Sequence, residues 1–364
     1  MSRITHIVPA TPPTFNGLGD YARMLHLQRA DPSCEWQVAA LQPGSGAEAA
    51  WPGVRFHPFL PDAGSLGRAL QEAGSAVVAL HYVPHAYHPK GVPDWLPEAL
   101  EEWKGRTGGR LVVFFHELFA FAPPWRTAFW LAPASIRILR RVGGLSDASL
   151  TSNDLYAKQL RVYGGLADAP RVVPVGSNIA VCGRSEGYRS AEPARIAVFG
   201  SAETRRLALK THAKLIRRFD EEGLLGRLVL IGSSGRNEEP IPARLCDKVE
   251  RVADASNREA SCALASCGLA LIATEQRRVA KSGVFAAACA HGLLPIVPSP
   301  GSDQGPYLAV DPGRPAAALA ALRDGDEVEA IHARVREHAR RSAWPAIVEA
   351  WSQTIDSARD QSSP

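Results

Sequence analysis

Short apolar runs recur along the chain, each closed by glycine, proline or polar residues and followed by a helical pattern. In the first half they are ITHIVPA, WQVAAL, SAVVALHYV, GRLVVFFHE, DASLTSN and PRVVPVG. Alternation of this kind predicts parallel strands joined by crossover helices. This first cycle ends near Gly176 to Ile179, and from Ala180 to Ala194 the composition turns polar and irregular, as a linker does. The cycle then restarts with RIAVFGS, RLVLIGSS, DKVERVA, LALIAT and LLPIVPS, and after Pro312 the chain is nearly all helical, with Pro345 placed to kink it.

The expectation is therefore an α/β chain of two Rossmann-like, doubly wound domains. Residues 1–180 form the first, 181–194 the linker, 195–335 the second, and 336–364 a helical tail. Two such domains facing one another make a central cleft at the carboxyl ends of both sheets, where open α/β sheets bind ligands.

A length of 364 residues with 46% hydrophobic content suits two domains of this size. The charge balance, 41 basic against 37 acidic residues, gives a net +4 that demands no nucleic-acid partner and is compatible with anionic ligands or lipid. Six irregularly spaced cysteines read as reduced core thiols, and Cys262 and Cys267 lack the paired CxxC ligands of a zinc site. The N-terminal apolar run is too short for a signal segment, and no window reaches 18 uninterrupted apolar residues. These features predict a cytoplasmic protein, at most peripheral to the inner face of a membrane.

The loops after strands hold the candidate chemistry. Gly17 and Gly19 precede a helix opening near Asp20; glycines there let backbone amides approach a ligand, and an ordinary strand-to-helix turn capped by Asp20 is the competing reading. SAVVALHYV delivers His81 and Tyr82, followed by His85, Tyr87 and His88, groups that stack on sugar rings and bind hydroxyls but are too irregular for metal ligation. His116 and Glu117 end a continuous apolar strand, where polar side chains are costly unless paired or functional. The aromatic run after them is core, an acceptor platform or a membrane-touching face. In the second half, VFGS leads to Arg205, Arg206 and Lys210, which are either a diphosphate clamp or solvated helix charge. Ser282 and Gly283 open a helix beside Lys281, and amides there with an ammonium alongside suit a phosphate.

Together, NGLGDYARML, VVFFHE, SDASLTSNDLYAKQL with VVPVGSNI, VFGS with RR and K, and AAACAHGLLPIV resemble, in their order along nearly the whole chain, the family-four type of GT-B glycosyltransferases. The resemblance implies that the N-terminal domain binds an acceptor, that the C-terminal domain binds a nucleotide diphosphate-sugar, and that the 336–364 helices pack back toward the first domain. It places Gly17 and Gly19 near the donor sugar and phosphates, with Arg205 or Arg206, Lys210, Lys281, Ser282 and Gly283 on the diphosphate. His116 with Glu117 stands at the catalytic position beside the sugar, and Asp20, His81 and Tyr82 on the acceptor side. The family's two glutamates, eight positions apart, align with Val279 and Ala287, so neither carboxylate is present; Glu275 is a substitute from the preceding loop.

The implied reaction is transfer of a sugar, with retention, from a nucleotide-sugar donor to a glycan, lipid-linked or small-molecule acceptor. No metal and no other cofactor is expected, since no Asp-x-Asp motif appears and cationic side chains can replace one. Two further readings stand beside it. One is a non-catalytic relative that binds a nucleotide or glycan in a regulatory or scaffolding role; the other is a GT-B enzyme of different chemistry such as epimerisation.

Overall fold

A computed structural model describes residues 3–11, 17–29, 34–44, 47, 51–119, 123–189, 192–234, 241–299, 301 and 304–360. The chain divides into two compact units, Met1–Pro174 with Trp344–Pro364, and Val175–Ala343.

The first unit is built on a seven-stranded parallel sheet in the order β3-β2-β1-β4-β5-β6-β7. Its strands are β1 (Arg3–Ala10), β2 (Glu35–Gln42), β3 (Arg55–Pro58), β4 (Val77–Tyr82), β5 (Arg110–Phe115), β6 (Ala148–Thr151) and β7 (Arg171–Val172). The central strands are buried along their length, as a parallel sheet covered on both faces requires. One face carries Ile7, Leu80, Val113 and Phe115, packed against Leu66 and Leu70 of the Ala63–Ala73 helix and Leu96 and Leu100 of the Trp95–Thr107 helix. Asp62 caps the first of these helices by accepting from the Ser65 amide at 2.7 Å, and Gly74 ends it in the left-handed region at φ 59°.

The opposite face is polar and aromatic. The period-2 alternation of a strand puts His6, His81, Phe114 and His116 on it. The Gly17–Gln28 helix lays Tyr21 over this face, and the Trp344–Asp360 helix adds Trp344 and Trp351. The last helix is thus part of the first unit.

The second unit has a six-stranded parallel sheet in the order β10-β9-β8-β11-β12-β13. These strands are β8 (Ala194–Phe199), β9 (Leu225–Gly232), β10 (Val249–Ala253), β11 (Leu269–Leu271), β12 (Leu294–Pro298) and β13 (Leu308–Val310). In both units the strand order reverses once, between β1 and β4 and between β8 and β11. The Gly283–Ala290 helix buries Phe285, Ala286, Ala287, Ala288 and Cys289, and its small side chains allow close packing on the sheet. Gly292, at φ 82°, turns the chain out of that helix into β12.

Three sequence expectations change here. The helical tail is three helices, Pro315–Arg323, Gly325–Arg341 and Trp344–Asp360, and the break falls at Ser342 rather than at Pro345. Pro345 sits in the first turn of its helix, where the missing N–H is no loss. Half the cysteines are not core residues: Cys182, Cys246 and Cys262 are exposed, while Cys34, Cys267 and Cys289 are buried. Two edge strands, β3 and β13, lie in stretches that carried no strand pattern. Among the described residues no helix is long and apolar enough to cross a membrane.

Candidate functional site

In each unit, polar groups gather where the strands end. In the first, β4 ends in His81 and Tyr82, and β5 leads directly into His116 and Glu117. Both amides of that pair donate to the Tyr82 carbonyl, at 3.1 and 3.3 Å, which fixes the start of the loop against the neighbouring strand. Alternation then separates His81 from Tyr82. Tyr82 turns into the apolar face among Phe115 and its neighbours, with its hydroxyl buried and without a hydrogen-bond partner among the described residues. It is a core residue, not one that meets an acceptor in this structure.

His81 is also fully buried, but it is linked outward. Its Nδ1 lies 3.1 Å from Nε2 of the half-buried His116, and its Nε2 lies 3.0 Å from Nδ1 of His6. Burial drives the imidazolium of His81 down to a pKa of about 3, and burial followed by the charges of His81 and His26 holds His6 well below the usual range. Both rings are neutral at pH 7. His6 stacks on Trp36 at 4.1 Å, Tyr21 meets His81 and His116 edge-on, and Tyr21 accepts from Nε1 of Trp351 at 3.1 Å. His81 is thus closed to solvent and hydrogen-bonded to the half-buried His116.

The helix holding Tyr21 opens at Gly17, whose Cβ position meets no atom within 4 Å, and buries Gly19. Asp20 stands in its first turn, half-buried, with its carboxyl raised by burial against the lowering charge of Arg23. The preceding loop residues 12–16 lie outside the described residues. The neighbouring aromatic and imidazole residues serve the scaffold: Tyr87 donates to the carbonyls of Ile7 and His81, at 3.1 and 3.0 Å, and His88 Nδ1 accepts from the Lys90 amide. The aromatic run divides: Phe119 packs against the core, whereas Trp125 and Trp130 are 81% and 72% exposed. Trp130 donates its Nε1 proton to the Pro124 carbonyl at 2.9 Å, so the apolar body of the indole faces outward.

In the second unit, β8 and β9 end in glycines with positive φ, Gly200 at 127° and Gly232 at 143°. A Cβ on Gly232 would lie 2.0 Å from the Gly200 carbonyl oxygen, so only glycine allows the two turns to meet backbone to backbone. Arg205 is buried at this junction and donates to the carbonyls of Gly200 (2.7 Å) and Ser233 (3.0 Å). Asp254, following β10 in the left-handed region at φ 49°, accepts from the Ser234 amide at 2.8 Å and from its hydroxyl. Those two hydrogen bonds, and then the charge of Arg205, hold its carboxyl below the usual range. The three strand ends are thus stitched into one rim.

Gly200 also abuts the Gly283–Ala290 helix, since its Cβ position would be 3.2 Å from Cγ2 of Val284 in that helix's first turn. Ser282 caps the helix by accepting from the Phe285 amide at 3.3 Å, and Gly283 is exposed with no atom near its Cβ position. Lys281 closes the 3-10 turn Gln276–Lys281 just before it. Arg206 and Lys210 are elsewhere. They are exposed, on the side of the Ala202–Thr211 helix away from buried Arg205, and Arg206 forms a two-pronged pair with Glu203 at 2.9 and 2.7 Å. The guanidinium groups of Arg205 and Arg206 do not share a space.

Val279 and Ala287, aligned with the expected carboxylates, are both buried in the apolar core of this unit. Neither position opens to solvent. Sequence reading missed His6, Tyr21 and Trp351, which lie far apart in the chain, and it missed Asp254. It also passed over a usable signal: GS after β8 and GSS after β9 repeat the same strand-end turn.

No protein-family model and no curated protein matches the chain. Solved structures do match along its whole length. The N-terminal domain of trehalose-6-phosphate phosphatase from Candida albicans superposes with a TM-score of 0.60 at 11% identity, covering 98% of this chain and 97% of that one. WaaG, a glycosyltransferase involved in lipopolysaccharide biosynthesis, gives 0.56 at 13% identity, with 97% and 99% covered. UGT2 from Phytolacca americana, solved with UDP-2-fluoro-glucose and pterostilbene, gives 0.53 at 12%, with 98% and 99% covered. The chain has the GT-B fold. Within that fold each sheet presents its carboxyl-end rim as the place for ligands.

Proposed function

We propose that this GT-B chain is a glycosyltransferase that takes a sugar from a nucleotide diphosphate-sugar and adds it to a hydroxyl-bearing acceptor. The observation that carries the reading is the glycine junction of the second unit. Gly200 and Gly232 clear side chains from the strand ends, next to the first turn of the Gly283–Ala290 helix, and such a place suits an anion approached by backbone N–H groups. UGT2, with the same fold, was solved with a UDP-sugar, which supports a donor of this class.

In this reading the Gly200, Ser233 and Gly283 segments and Lys281 face the diphosphate, while Arg205 holds the rim in shape. The bond from the anomeric carbon to the diphosphate oxygen breaks as the acceptor oxygen bonds to that carbon, and the acceptor proton leaves with the diphosphate. Negative charge grows on the leaving group, so cations and amides already in place there lower the barrier without a metal ion. Retention is the proposed outcome. His116, Glu117 and Asp20 of the first unit serve the sugar and acceptor, and exposed Trp125, Phe129 and Trp130 suit an apolar or lipid-linked acceptor, or contact with a bilayer.

A thermal-shift screen of nucleoside diphosphates and their sugars tests this, because a ligand bound only by the folded state raises its Tm. A sugar nucleotide that both stabilises the chain and is turned over, with loss of both effects in Lys281→Ala, is the expected result. The second reading, a binding module without catalysis, is favoured by the buried Val279 and Ala287 and by the likeness to one domain of a protein named as a phosphatase. Stabilisation by a nucleotide with no turnover of any sugar donor would select it.

A further inference from the structure

From Leu118 to Ser146 the chain carries four arginines, Arg126, Arg137, Arg140 and Arg141, and no acidic residue. Most of this stretch is the Thr127–Leu145 helix, 19 residues and about 28 Å long. Its inner face buries Ile138, Leu139 and Val142 in the core of the first unit. With 3.6 residues per turn, Phe129, Trp130, Pro133, Arg137, Arg140 and Arg141 share the opposite side, and all six are exposed. That side is sorted along its length. The first turn, with Trp125 just before it, is aromatic, and the last two turns are cationic. The neighbouring Asp154–Tyr163 helix extends the cationic end: the two helices meet backbone to backbone, since a Cβ on Gly143 would strike the Gly164 carbonyl, and the neighbour closes on exposed Arg161 and Val162. On the other flank Arg141 pairs with Glu101 at 2.8 and 3.2 Å, which marks the edge of the cationic surface. Arg126, Arg137, Arg140 and Arg161 form no ion pair among the described residues.

We propose that this face docks the chain on a bilayer containing anionic lipid, with Trp125, Phe129 and Trp130 among the headgroups and Arg137 and Arg140 on lipid phosphates. The charge selects the occupant. An apolar acceptor molecule would use the aromatic end and leave the arginines idle, and a second copy would bring like charges face to face. A bilayer offers apolar depth and anionic phosphate side by side along the whole helix. Guanidinium groups reach phosphate oxygens while their stems lie on the apolar layer, and arginine grips phosphate in two places where lysine is a point charge. Trp130 enters such an interface without stranding a donor, because its Nε1 proton is already given to the Pro124 carbonyl. The inference goes beyond sugar transfer and stands or falls separately from it.

The test is flotation of the full chain with vesicles of phosphatidylcholine alone and of phosphatidylcholine with one third phosphatidylglycerol. The chain should rise with the anionic vesicles and not with the neutral ones, and the bound fraction should fall as salt is added. Arg137→Gln with Arg140→Gln should lower the partition coefficient roughly 25-fold, about fivefold for each arginine. Trp125→Ala with Trp130→Ala should lower it about tenfold or more. All four side chains are exposed, so the urea midpoints of both variants should match that of the unaltered chain. Tryptophan fluorescence should shift to the blue when anionic vesicles are added, and the shift should vanish in the tryptophan pair. No flotation with anionic vesicles, equal flotation with neutral ones, or a partition unchanged in either variant overturns the proposal. Self-association of the free chain that Trp130→Ala abolishes would give the face to a second copy and overturn it as well. Vesicle binding by a chain that turns over no sugar donor would remove the transferase reading and leave the docking surface standing.

Discussion

The two units share one strand order around the reversal point, yet the layers packed on their sheets have opposite chemistry. In the first unit the strands leading to the rim carry His6 and His81, roofed by Tyr21, Trp344 and Trp351. In the second the corresponding core is mainly aliphatic, with Phe219, Phe285 and Tyr307 among it, and the helix nearest the rim is rich in alanine. The first therefore holds a hydrogen-bonded imidazole network in low dielectric. The second brings backbone close to backbone. The same topology supplies side-chain chemistry in one unit and main-chain chemistry in the other.

The largest effect should come from forcing side-chain chemistry on the second unit. Ala287→Glu restores a residue the family resemblance expects, but at a position that is 0% exposed. A carboxylate there has no partner, and stability should fall by roughly 3–5 kcal/mol, the scale of an uncompensated buried charge. Urea unfolding measures it, and unchanged stability with a gain in turnover would show that the position opens to the donor after all.

Acid sharpens the other side of the comparison. His6 and His81 have folded pKa values below the unfolded value, so the unfolded chain binds more protons as pH falls below about 6.5, and their stabilisation, complete above that pH, drains away downward. Each such histidine contributes a slope of about 1.4 kcal/mol per pH unit. Other buried histidines add to the total, so the comparison that isolates one of them is His6→Phe against the unaltered chain. Between pH 6.5 and 5.5, where the unfolded imidazole goes from half to mostly protonated, the variant should lose about 1 kcal/mol less stability. Equal losses would mean that His6 is protonated in the fold.

How much of this was legible in sequence follows the same division. Strands buried on both faces announce themselves as apolar runs, and ITHIVPA, SAVVALHYV, GRLVVFFHE and RIAVFGS are β1, β4, β5 and β8. The edge strands β3 and β13 did not, because RFHP is short and mostly polar and LAV is only three residues long, too little to make a pattern. His116 stood out since a polar residue ending an apolar strand needs a reason. His6 did not, although it is the more deeply buried, because its hydrogen-bond partner His81 lies 75 residues away and only sheet register brings the two together. The position of Arg205 could be read, but not its direction; the difference between a guanidinium turned in toward carbonyls and one turned out to solvent is a single step along a helix.

An effect between those of Ala287→Glu and His6→Phe is expected at the glycine junction. Gly232→Ala places a Cβ against the Gly200 carbonyl at a φ that side chains rarely adopt, which should cost about 2 kcal/mol and widen the junction. If nucleotide binding survives with stability lowered, the rim is scaffold and the ligand sits elsewhere.

The smallest effect should be that of Arg206→Ala, and it separates the two arginines. Arg206 and Glu203 pair with side chains 57% and 72% exposed, a geometry in which Coulomb attraction is screened by water and salt and opposed by the side-chain entropy of holding the pair. The urea midpoint should not move, and neither should the thermal shift given by a nucleotide sugar. Arg205→Ala, by contrast, leaves the Gly200 and Ser233 carbonyls without their donor and should diminish that shift along with stability. A loss of nucleotide binding in Arg206→Ala at unaltered stability would mean that the ion pair opens and the guanidinium swings to the ligand, and the second unit would then also work through its side chains.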